Sequence, residues 1–118
     1  MSLANILLTI LCVACISCGQ VLFKVAARSA GPGGDFLTAA RELAGSPFLL
    51  GGLVVYLGAT ALWIWLLRTI PLSVAYPFMA LAFLFVPILA AVFLGEPLSF
   101  KSVFGAALIV AGICLVAN

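Results

Sequence analysis

The chain has 118 residues, 67% of them apolar and only 7% charged: five Lys or Arg, three Asp or Glu, and no His. A soluble domain is roughly half apolar and about a quarter charged, and a domain this short leaves too much surface exposed to hide such a composition from water. The solvent is therefore lipid, which excludes a soluble enzyme, a nucleic-acid binder with its basic patch, and any His-based catalytic or metal site.

A helix that crosses a bilayer needs about 20 apolar residues. Four stretches qualify, and the helices are predicted at about 3–27, 47–67, 72–94 and 100–116. They use nearly the whole chain. The expected fold is all-α: one multi-pass, four-helix transmembrane bundle over residues 1–118.

Helix 1 is uncharged from Leu3 to Val21, with a polar cluster at Ser17–Gln20. No Lys or Arg precedes it, so it reads as a retained span rather than a cleaved signal peptide, which starts on positive charge. Gln20 and Lys24 are four residues apart and share a face. Lys24 lies 21 residues beyond Leu3, roughly 32 Å along a straight helix, which puts it near an interface. The plain role is an anchor whose stem carries the ammonium to the headgroups. The functional role is a cation that meets an anionic lipid head, assisted by the Gln20 amide. Cys12, Cys15 and Cys18 have the spacing of an iron–sulfur run, but they fall inside an apolar helix with only Cys114 to complete a set. They read as small packing residues; no metal, disulfide or other cofactor is expected.

Ala30 to Asp35 is dense turn chemistry. Phe36 to Leu43 reads as a short interfacial helix with Arg41 and Glu42 in water. Ser46-Pro47 is a helix start, with Ser46 as N-cap and Pro47 at the first helical position. Trp63, Trp65 and Tyr56 in helix 2 read as packing or belt aromatics. The very short turn Arg68–Pro71 makes helices 2 and 3 antiparallel neighbours.

Helix 3 contains Pro77 and Pro87, each of which removes a backbone bond and kinks a helix. Such prolines are either ordinary membrane-helix residues or hinges along a transport path. Tyr76 is a candidate cavity-lining residue whose hydroxyl needs a partner if buried. Glu96 follows helix 3 and reads either as an acid favoured near the next helix N-terminus, or as a contact to Lys24, Lys101 or a polar headgroup. Ser99 is expected to cap helix 4. In helix 4, Gly105 and Gly112 are seven apart, and small residues let membrane helices approach closely, so this pair is the expected dimer seam. Lys24, Arg28, Arg41 and Lys101 all fall on one side, against Arg68 on the other. The positive-inside rule then places both termini outside.

Three segments now carry a resemblance: Gly19-Gln20 followed by Lys24, the run Ile70-Pro71-Leu72-Ser73-Val74-Ala75-Tyr76-Pro77, and Gly95-Glu96-Pro97-Leu98-Ser99. In this order and spacing the chain resembles the small multidrug resistance branch of the drug/metabolite transporter superfamily, and Glu-Pro-Leu-Ser is similar to a repeat end in EamA-domain relatives. Two departures point to a subfamily. Drug–proton antiporters of this type carry a helix-1 Glu where Ile16 stands, and a Trp where Met79 stands. The pattern instead resembles the subunits of the aminoarabinose-phosphoundecaprenol flippase (the ArnE/ArnF type).

That resemblance implies an inner-membrane transporter, not an enzyme, that flips a polyprenyl-phosphate-linked sugar or related anionic lipid used in lipid A modification. It also implies a homodimer, or a heterodimer with a related four-helix subunit. Gln20, Lys24, Tyr76 and Glu96 are the expected substrate-binding residues. An anionic cargo suits Lys24, whereas a drug cation needs a membrane carboxylate that no span supplies. The competing readings are a small exporter of a cationic or neutral metabolite, with Glu96 as its acid, and a scaffold subunit for a larger membrane enzyme.

Overall fold

The structure is a computed structural model and describes residues 2–31 and 33–117; Pro32 of the first turn lies outside them. The elements are α1 (Leu3–Ala30), α2 (Phe36–Ala44), α3 (Pro47–Leu67), α4 (Leu72–Met79), α5 (Ala82–Phe93) and α6 (Phe100–Ala117). Four segments have the length and apolarity of membrane spans: α1, α3, the stretch Leu72–Phe93, and α6. The chain is a multi-pass membrane protein.

α1 starts at Ser2, whose hydroxyl accepts the Asn5 N–H at 3.2 Å. It runs three residues past the expected end at 27. Gly31 stops it by taking a left-handed conformation (φ 75°), which glycine adopts without strain, and its N–H returns to the Arg28 carbonyl at 3.2 Å. Both Lys24 and Arg28 are thereby helical. Two buried hydroxyls on α1 are satisfied by their own helix: Thr9 donates to the Asn5 carbonyl at 2.7 Å and Ser17 to the Val13 carbonyl at 2.8 Å. In lipid this local bonding avoids the large cost of an unpaired polar group.

The tightest seam joins α1 to α3 in antiparallel fashion. Cys12, Ile16, Gly19, Phe23 and Ala26 recur at alternating intervals of four and three, the spacing of a helix seam. The Cys12 thiol donates to the Ala59 carbonyl at 3.1 Å, which gives that cysteine a packing role. A Cβ built on Gly19 would lie 3.4 Å from the Tyr56 ring, and one on Gly52 only 2.7 Å from the Phe23 ring. The Phe23 and Tyr56 rings pack tilted at 5.8 Å between centroids, so Tyr56 is a seam residue.

Two features depart from the sequence expectation or refine it. The third span is two helices, α4 and α5, separated at Ala80–Leu81. Pro77 has no N–H to continue the ladder, and beyond it the chain tightens into three-residue turns: Ala80 N–H to the Pro77 carbonyl at 2.9 Å, and Leu81 N–H to the Phe78 carbonyl at 3.0 Å. Such tight turns mark a local break in an α-helix. Ser46 stands at the N-cap of α3 with Pro47 following, but its side chain makes no cap bond; it is turned inward, and its buried hydroxyl has no partner. Ser99 does cap α6, its hydroxyl accepting the Ser102 N–H at 3.1 Å.

α2 is amphipathic. Phe36 and Leu37 stand exposed beside exposed Arg41 and Glu42, which suits a helix lying in the headgroup layer. The Asp35 carboxylate caps it, accepting the Thr38 N–H at 2.9 Å.

The packed core sits toward the end of the bundle where α1 begins. It comprises Cys12, Ile16, Ala59, Leu66, Ile70 and Ala75. The other half is loosely filled: α5 buries no residue completely. That asymmetry opens grooves between the C-terminal half of α1 and α5.

Candidate functional site

Two concavities follow one face of α1. The first, about 340 Å³, is lined by Ile16 and Gln20 from α1 and by Ala82, Phe83, Val86 and Pro87 from α5. Gln20 is its one polar side chain. Pro87 has no N–H to offer the Phe83 carbonyl four residues back, so this carbonyl loses its α-helical donor on the cavity wall. The second, about 290 Å³, is lined by Lys24, Ala27, Arg28 and Gly31. Ile16, Gln20, Lys24 and Arg28 recur at intervals of four, with Ala27 and Gly31 beside them, and so form a single stripe. The stripe passes from an apolar slot, past an amide, to two cations at the helix end.

The charges fit their positions. Lys24 lies six residues before Ala30, roughly 9 Å below the helix end, within reach of the headgroups for a long stem. Cations are favoured at the C-terminus of a helix by its dipole. The Arg28 guanidinium reaches across and donates to the Leu94 carbonyl, at the end of α5, at 3.3 Å. Gln20 and Lys24 share the face that their spacing predicts, in adjacent concavities rather than one.

The other expected site residues fall elsewhere. Tyr76 is 65% exposed and lies on the second turn of α4, toward the opposite end of the bundle from Lys24. Its side chain points outward and lines neither concavity of the stripe. Its neighbour Ala75 is the buried member of that turn. Glu96 is half-buried on the Lys24 side of the membrane. Gly95 turns the chain there at φ 70°, and the Glu96 N–H donates back to the Ala90 carbonyl at 3.2 Å. Gly105 and Gly112 are unused within the protomer: a Cβ built on either meets nothing within 4 Å. Arg28 was not among the expected site residues, although its four-residue spacing from Lys24 was a readable signal.

The model of the EamA-like transporter family matches residues 7–118. The chain belongs to this family. Among curated relatives of this EamA-like chain, one from Sodalis glossinidius is called a probable 4-amino-4-deoxy-L-arabinose-phosphoundecaprenol flippase subunit ArnE. It is 37% identical over 94% of this chain and 96% of its own length. A protein of the same name from Erwinia tasmaniensis is 41% identical over 58% of this chain and 65% of its own. A probable subunit ArnF of the same flippase, from Proteus mirabilis, is 40% identical over 57% of this chain and 52% of its own. No solved structure matches the chain.

Proposed function

We propose that this EamA-like protein is a subunit of a flippase that carries a polyprenyl-phosphate-linked sugar across the bacterial inner membrane. The observation that carries this reading is the α1 stripe. Buried Ile16 fills the position where a drug–proton antiporter would hold its carboxylate, and Gln20 and Lys24 follow on the same face. A phosphodiester head meets the Lys24 ammonium near the boundary, the Gln20 amide takes a sugar or phosphate oxygen, and the isoprenoid chain stays in lipid. The names of the relatives support the same cargo class.

The working unit is a dimer, either of two copies or with a related four-helix subunit. The Lys24 groove is shallow and one-sided within the protomer, and transporters of this general kind build the site between inverted repeats. Gly105 and Gly112, idle within the protomer, serve as the seam.

Proteoliposomes loaded with a polyprenyl-phosphate sugar test the proposal. The chain, alone or with its related subunit, should speed exposure of the sugar on the far leaflet. With Ile16 in place of an acid, the same vesicles should show no proton release on addition of a quaternary ammonium drug. Drug-driven proton release without sugar flipping would instead support a small-cation exporter.

A further inference from the structure

The bond from Arg28 to Leu94 has no role in the reading above, yet it ties a charged side chain of one concavity to the end of the helix that lines the other. We propose that Arg28 is the second cation of a phosphate clamp with Lys24, and that the ligand's phosphodiester displaces the Leu94 carbonyl from the guanidinium. This inference rests on the anionic-lipid reading and names the residue that orients its phosphate.

Four observations support it. Lys24 and Arg28 are one turn apart and line the same concavity of about 290 Å³, together with Ala27 and Gly31 and, among the described residues, no carboxylate. That volume is roughly ten times the liquid share of one water, enough for a phosphodiester with some of its hydration. Lys24, Ala27, Arg28 and Gly31 are all exposed, so the approach to the cations is open. Finally, the guanidinium is held by one neutral carbonyl at 3.3 Å, longer than the usual 2.9–3.0 Å.

A phosphate offers more than that carbonyl. A charge-assisted bond is about twice as strong as a neutral one, and the guanidinium fork matches two phosphate oxygens at once. Lys24 supplies a point charge without directional preference, whereas Arg28 supplies geometry. The exchange therefore runs from a single long bond to a paired, charged one. It also frees the last carbonyl of α5.

The full chain in nanodiscs, with a decaprenyl-phosphate-linked sugar (a phosphodiester) as ligand and inorganic phosphate as soluble competitor, tests the clamp. R28Q should weaken lipid binding by about 10-fold, the low end of what one hydrogen bond to a charged group contributes, because the site is open. R28K, which keeps the charge and the fold but not the fork, should fall in between. R41Q removes a cation from the same side of the membrane but not from the concavity, and should leave binding unchanged. Inorganic phosphate should compete only weakly, because it has no chain in the bilayer. Wild-type binding with R28Q and R28K unaffected overturns the clamp and leaves the lipid reading standing. Equal loss in R41Q overturns the clamp in favour of a general surface potential, and full displacement by inorganic phosphate overturns the lipid as its source. No binding by the wild type overturns both the clamp and the reading beneath it.

Discussion

Lys24 differs from Arg41 and Lys101 in what surrounds it. It opens onto a concavity, whereas Arg41 stands on the water-facing side of α2 and Lys101 on the exposed first turn of α6. K24A should therefore reduce lipid flipping by about 10-fold at matched expression, with the bundle still folded, because an exposed lysine adds little packing. K24R should keep part of the activity, and K101A nearly all of it. Normal flipping by K24A would reduce Lys24 to an anchor. The shared face of Gln20 and Lys24 was legible because it depends only on helical period. Arg28's engagement was not, since its partner Leu94 is 66 residues away and no local pattern encodes that contact. Tyr76 was less legible: a polar aromatic beside a proline suggests a cavity, but within the protomer the face of α4 that meets the core carries Ala75 and Phe78.

Among the elements, the α1–α3 seam is the most demanding in shape. A Cβ on Gly52 would come within 2.7 Å of Phe23 and 3.2 Å of the Leu22 Cβ, while one on Gly19 would make ordinary contacts. G52A should therefore cost about 1–3 kcal/mol of overpacking, read as a lower denaturation midpoint in detergent, and G19A much less. A second expectation concerns α2. Hydrogen bonding from Thr38, its side chain first and its amide second, holds the Asp35 carboxyl below the usual carboxylate range. A group whose folded pKa is depressed contributes stability above its unfolded value, near 3.9 for Asp, and loses that contribution as pH falls through the folded one. The first turn of α2 should therefore fray below about pH 4, seen as faster exchange of the Thr38 amide, and D35A should show the fraying at neutral pH. The spans themselves, the amphipathic α2 and the Ser99 cap were all readable, because each follows from composition, period or one capping residue. The break at Ala80–Leu81 was readable only as a kink. Pro77 announces a missing bond, but where the chain tightens depends on α4 being held by the core and α5 not. Ser46 likewise has the right residue at the right position, and its hydroxyl turns inward instead of onto the helix end.

For the whole molecule, α6 is the outlying element. It packs against α4 and α5, and only Ala106 and Ile113 are buried on it. On the proposed dimer, its glycines, which face open space in the protomer, are where the second subunit would dock. G112L should abolish the dimer in cross-linking and size analysis while leaving the monomer's helix content intact, since the added side chain meets nothing in its own protomer. A variant that still cross-links like the wild type would move the seam elsewhere, with the exposed outer face of α3 next in line.

The division of the third span at Leu81 has a mechanical consequence. α4 buries Ala75 and Phe78, whereas α5 buries no residue fully and packs along α1, so a rotation between the two would move α5 as a lever arm. The arm is 12 residues long, or roughly 18 Å. A swing of about 10° at the bearing would carry its far end through about 3 Å, by the same helix geometry. That travel is comparable to the 3.3 Å between Arg28 and Leu94. A rotation of that size at one end of the bundle would be enough to break or make the Arg28–Leu94 bond at the other.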